Sequence, residues 1–105
     1  MSERIKQLEK FMEEDSSDPF IQYALALEYA KADQQKAVDT FQSLMNRNRD
    51  YLPTYYQLAK LYESLGQKEN AAVAYDNGIA LAKKQNDLKT LRELQAGLDE
   101  MEELN

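Results

Sequence analysis

The 105-residue chain contains no cysteine, no histidine and no tryptophan. Without cysteine there are no disulfides and no thiolate nucleophile; without histidine there is no imidazole acid–base pair. Their joint absence also removes the nitrogen and sulfur ligands of ordinary zinc sites. No metal, cofactor or catalytic residue is expected. Glycine and proline are scarce, at three and two residues, against about 12% of average usage. Few tight turns are available, which favours long helices. No long hydrophobic run occurs. The longest mostly apolar stretch, Phe20 to Ala30, is interrupted by Gln22 and Glu28 and falls short of the about 20 residues a spanning helix needs. Residues Met1 to Asp15 mix charged and apolar side chains and hold no apolar signal region. The expectation is a cytoplasmic protein with no membrane partner. Basic residues are outnumbered 13 to 19, for a net charge of -6. That balance lacks the basic footprint of a nucleic-acid binder.

What remains is 43% hydrophobic and 30% charged, the balance of one folded domain. Ile5, Leu8, Phe11 and Met12 recur at helical spacing among charged neighbours and predict an amphipathic helix from Ser2 to Glu14. Asp15 to Asp18 is a polar break. Asp18-Pro19 is a helix start: aspartate caps free N–H groups, and proline fits the first helical position. The helix from Pro19 to Ala32 is apolar on most faces and should be buried between neighbours. Asp33 then caps a helix over 34–48, with Ala37, Val38, Phe41, Leu44 and Met45 on one face. Residues 46–50 break the pattern again, with a basic spot at Arg47 and Arg49 that suits a helix C-terminus. Pro53 opens a fourth helix to Leu65, closed by Gly66. A fifth covers 68–85. Asn86-Asp87 opens a sixth, striped by Leu88, Leu91, Leu94, Leu98 and Met101. No segment alternates over strand length, so the fold class is all-α.

The middle of the chain repeats. Tyr23, Leu25, Ala26 and Tyr29 return 33 residues later as Tyr56, Leu58, Ala59 and Tyr62. Ala37, Phe41 and Leu44 return 34 residues later as Ala71, Tyr75 and Gly78. The small residues mark close helix approach, and the large ones, Tyr29, Tyr62 and Tyr75 among them, are expected in the core. In its second copy the run Tyr55, Leu58, Ala59, Tyr62, Gly66, Ala71, Tyr75, Gly78 resembles the tetratricopeptide repeat, whose unit is a helix pair of about 34 residues. The first copy departs from it: Gln22 stands for the first aromatic, and its turn is shorter and holds no glycine. The resemblance implies antiparallel helix pairs stacked as a short right-handed superhelix of six helices. It divides the single domain into an N-terminal cap over 1–15, repeats over 18–50 and 51–85, and a C-terminal cap over 87–104. In the sixth helix Arg92 and Gln95 replace the small and aromatic residues that would receive a further repeat, as a solvating cap requires.

Acidic clusters at Glu13 to Asp15 and Asp99 to Glu103 lie at helix ends and read as solvated faces. No glycine-rich phosphate loop is present. The resemblance instead implies a groove lined by the first helix of each repeat. The first repeat would present Phe20, Tyr23, Leu27, Ala30 and Lys31; the second Tyr56, Gln57, Lys60, Glu63 and Ser64. Apolar patches with polar edges mark binding sites. The expected role is an adaptor or scaffold that takes a peptide or helix of a partner protein. The alternative is a self-associating structural protein, possible as a homodimer, or a non-catalytic subunit of a larger complex. Only Lys60 is basic among the positions matching those that clamp a chaperone's C-terminal carboxylate in this family, which disfavours that ligand.

Overall fold

The first three helix starts are set by side chains one residue ahead of the helix. In a computed structural model, which describes residues 2–103, Ser2 accepts the Ile5 N–H at 3.2 Å and opens α1, Glu3–Glu14. Asp18 accepts the Phe20 N–H at 2.9 Å and opens α2, Pro19–Ala30, with proline in the first turn. Asp33 accepts the Lys36 N–H at 3.1 Å and opens α3, Gln34–Arg47. Each carboxylate or hydroxyl satisfies one of the orphan donors of a helix N-terminus. Three further helices follow: α4, Pro53–Ser64, α5, Lys68–Gln85, and α6, Leu88–Glu103. The described residues hold six helices and no strand. None of these helices is long and apolar enough to cross a membrane. Met1 and Leu104, the outer limits of the expected caps, lie outside the described residues.

The chain forms two compact units that meet in sequence between Tyr51 and Leu52. In the first, α2 packs against both α1 and α3. That position explains its all-round apolar sequence: Gln22, Ala24, Leu25, Ala26 and Tyr29 are buried. Ile5 and Leu8 of α1 and Ala37, Val38, Phe41 and Leu44 of α3 complete the core. In the second unit α5 is the central helix, packed against α4 and α6. Tyr55, Leu58, Ala59, Leu61 and Tyr62 of α4 are buried with Ala71, Ala74, Tyr75, Ile79 and Ala82 of α5 and Leu94, Leu98 and Met101 of α6. Tyr29, Tyr62 and Tyr75 are thus in the cores, as the repeat reading requires.

Glycine has a distinct duty at each close approach. A Cβ on Gly78 would lie 2.8 Å from the Tyr55 Cβ, so this position of α5 admits only hydrogen where α4 passes. A Cβ on Gly97 would lie 2.7 Å from the Tyr75 ring. Gly66 has φ 74 and ends α4 in the left-handed region, as its place after Leu65 predicts.

Ser2, Asn48 and Leu65, expected as end residues of their helices, are caps just outside α1, α3 and α4, and two other ends differ more. The second helix stops at Ala30 rather than Ala32, because Lys31 and Ala32 tighten into N–H bonds to the Glu28 and Tyr29 carbonyls. Asn86 closes α5 rather than opening α6: it is left-handed, with φ 58. Asp87 alone caps α6, accepting the Thr90 N–H at 3.1 Å and its hydroxyl at 2.9 Å. These two bonds hold the Asp87 carboxyl below the usual carboxylate range. Leu88, first in the expected stripe, is exposed.

Candidate functional site

The expected interaction residues fall on α2 and α4, with Lys31 at the C-cap of α2. On α2, Phe20 is 58% exposed, in the first turn set by Asp18 and Pro19. Tyr23 and Leu27 are half-buried, and so is Ala30. The Tyr23 ring packs at 5.9 Å and 60° on Phe41 of α3. It also stands edge-on to Tyr51 at 5.7 Å. Such tilted and edge arrangements suit the ring quadrupole. Burial, with Tyr23 and Asp18 nearby, raises the Tyr51 phenol above its ordinary pKa. Lys31 is exposed and ion-paired with Glu28 at 2.7 Å.

On α4 the matching residues Tyr56, Gln57, Lys60 and Glu63 are all half-buried, and Ser64 is exposed. Tyr56 stands edge-on to Tyr75 of α5 at 6.5 Å and 73°. The Lys60 ammonium lies 5.6 Å from the Tyr56 ring centre and 3.6 Å from the Glu63 carboxylate. Glu63 also accepts a short hydrogen bond from the Tyr75 hydroxyl. Burial first, and the Glu63 carboxylate second, push the Tyr75 phenol far above its ordinary pKa. It therefore stays protonated and donating at any physiological pH. Lys60, Glu63, Tyr75 and Tyr56 form one connected set on the second unit.

Each candidate face thus carries an i,i+3 ion pair, Glu28–Lys31 or Lys60–Glu63. Neither lysine offers an unopposed charge. The faces are aromatic and aliphatic surfaces with neutralised polar edges. The tie from Tyr75 to Glu63 was not read from the sequence, yet a signal existed. Phe41 becomes Tyr75 in the second copy, and Ala30 becomes Glu63 33 residues on. The gained hydroxyl and the gained acceptor appear together.

Elsewhere, Arg47 at the last turn of α3 donates to the Ser16 carbonyl at 2.8 Å and ties the 15–18 break to the helix end. Among the described residues no group of acidic side chains gathers as a metal site would.

The fold defines a class: an all-α protein built from packed helix pairs that repeat along the chain. Comparison with known structures places it within that class. A tetratricopeptide repeat domain protein from Salinibacter ruber, in solution, is 40% identical over 87% of this chain and 93% of its own, with a TM-score of 0.82. Its crystal structure gives 39% identity, 84% and 100% coverage, and a TM-score of 0.79. A protein from Bordetella parapertussis shares the fold at 20% identity, with 98% and 90% coverage and a TM-score of 0.84. No family model matches the sequence, and no curated protein does. This chain belongs to the tetratricopeptide repeat family, whose fold is that of a helical-repeat protein-interaction module.

Proposed function

We propose that the protein is a non-catalytic adaptor or scaffold of the cytoplasm, with residues 18–50 and 51–85 as its two repeats and flanking helices as caps. It binds a peptide or helix of a partner protein through Phe20, Tyr23, Leu27 and Lys31 of the first repeat and Tyr56, Gln57, Lys60 and Glu63 of the second. These are the positions that line the concave groove of the family. The observation that carries this reading is the Phe20, Tyr23 and Leu27 surface of α2, led by a phenylalanine that is 58% exposed. An exposed ring of that size beside half-buried aromatics suits an interface, where tyrosine and phenylalanine are enriched. A short groove of this kind gives modest affinity, on the order of micromolar, about -8 kcal/mol.

The test is capture from a cell lysate with mass-spectrometric readout. Wild type is compared with the Tyr56→Ala/Lys60→Glu variant. Partners retained by wild type and lost by the variant support the reading, and a shared apolar segment among them defines the ligand. Undiminished capture by the variant sinks it. Recovery of the protein alone, with a dimer in sedimentation, replaces it with self-association.

A further inference from the structure

The first unit holds a cleft of about 350 Å³ away from the Phe20 and Tyr23 surface, between the start of α1, the end of α2 and the start of α3. Its walls are largely apolar, formed by Ile5, Tyr29 and Ala32. Its size is that of a small-ligand site. Tyr29 is the fixed element. It is 8% exposed, and its hydroxyl donates to the Glu9 carboxylate at 2.7 Å. Burial and this bond push its phenol up to about 12, so the ring is anchored from behind and uncharged.

Four charged residues, two acids and two lysines, surround the opening, and the side chains of three make an ion pair or a hydrogen bond. Glu28 and Lys31 neutralise one another at 2.7 Å. The Asp33 carboxylate accepts the Lys36 N–H at 3.1 Å and faces the positive N-terminal end of α3. The Lys36 ammonium is different. It lies 4.4 Å from the Tyr29 ring centre and makes no salt bridge among the described residues. The formal charges at the mouth balance, and the Lys36 ammonium is the charged group there whose side chain makes neither a hydrogen bond nor an ion pair among the described residues.

We propose that this cleft binds a small monocarboxylate with an apolar body. The carboxylate pairs with Lys36, and the hydrocarbon lies against Ile5, Tyr29 and Ala32. A carboxylate beside the ammonium offsets its charge where the cation–π contact alone does not. The hydrocarbon leaves water for a wall that is already formed. The protein's net charge of -6 does not cancel this attraction, because at about 0.15 M salt charges beyond about 8 Å are largely screened.

The experiment is an amide NMR titration of the full chain with three probes of one chain length: octanoate, 1-octanol and octylammonium. Octanoate should give saturable shifts at Tyr29, Ala32 and Lys36. Octylammonium should give none there, and 1-octanol should bind about fivefold more weakly. Lys36→Gln, at an exposed position, should lower octanoate affinity to that of the alcohol, and Lys36→Arg should keep it. Unchanged shifts elsewhere in both variants show that the fold is kept. The proposal is overturned if octanoate gives no saturable shift at these residues, if the three probes bind alike, or if Lys36→Gln binds octanoate as wild type does. The cleft shares no test residue with the partner-binding variant, so failure of either idea leaves the other standing.

Discussion

In the first unit the fully buried ring is Phe41, and the position matching Glu63 is Ala30; in the second the fully buried ring is Tyr75, and its hydroxyl donates to Glu63. A second exchange runs beside the first. Gln22, buried with its amide 3.5 Å from the Thr40 carbonyl, and the fully buried Leu44 are replaced in register by Tyr55 and Gly78. The repeats thus differ by paired changes: one exchange adds a hydroxyl together with its acceptor, and the other sets the larger Tyr55 against a glycine. The exchanges also decide what each unit shows outward. Beside Phe41 the first unit has Tyr23, Leu27 and Ala30. Beside Tyr75 the second has Tyr56, Lys60 and Glu63, so the ion pair stands beside the buried ring in the second unit and at the end of α2, Glu28–Lys31, in the first.

Truncating the two rings should have the largest effect and should strike both units alike. Phe41→Ala and Tyr75→Ala are each expected to cost about 3–5 kcal/mol in urea denaturation. A cost under about 1 kcal/mol for either would break the equivalence of the repeats. Gly78→Ala should follow, at about 1–3 kcal/mol, because the new methyl meets the Tyr55 Cβ rather than a flexible chain end. The same change at Gly66 has open space around it. It should cost only the left-handed backbone, about 1 kcal/mol.

The hydroxyl exchange can be sharpened by a double-mutant cycle. Tyr75→Phe should cost about 1 kcal/mol, as Glu63 loses its donor. Adding Glu63→Ala rebuilds the first unit's pair, and the combined loss should fall short of the sum of the single losses by about 0.5 kcal/mol or more. Strict additivity would show that the bond is not a coupled unit. The smallest effect belongs to an exposed residue outside both exchanges: Lys84→Ala should stay within about 0.5 kcal/mol of wild type by thermal melting.

Much of this architecture was legible in advance. Asp18-Pro19, Asp33 and Gly66 announce their helix boundaries through local chemistry, and apolar spacing marks each helix between them. The 33- and 34-residue returns identify the repeat. Asn86 closes α5 although its sequence suits a helix start, because asparagine serves both as a cap and as a left-handed residue, and only its φ of 58 separates the two. Leu88 continues the apolar stripe yet is exposed, because periodicity runs to a helix end whether or not a neighbour covers it. The candidate α2 and α4 positions follow from repeat register, but their ion pairs do not. A lysine three residues from a glutamate specifies proximity, not whether the ammonium turns to it.

Helix class, most helix starts and repeat length are readable from the chain because caps and a 3.6-residue period are local properties. The bond from Tyr75 to Glu63, the hydrogen-only approaches at Gly78 and Gly97, and the cleft over Tyr29 belong to the folded molecule. Each depends on how near one helix comes to another within its unit, a distance set by every side chain between them and by no short stretch of sequence.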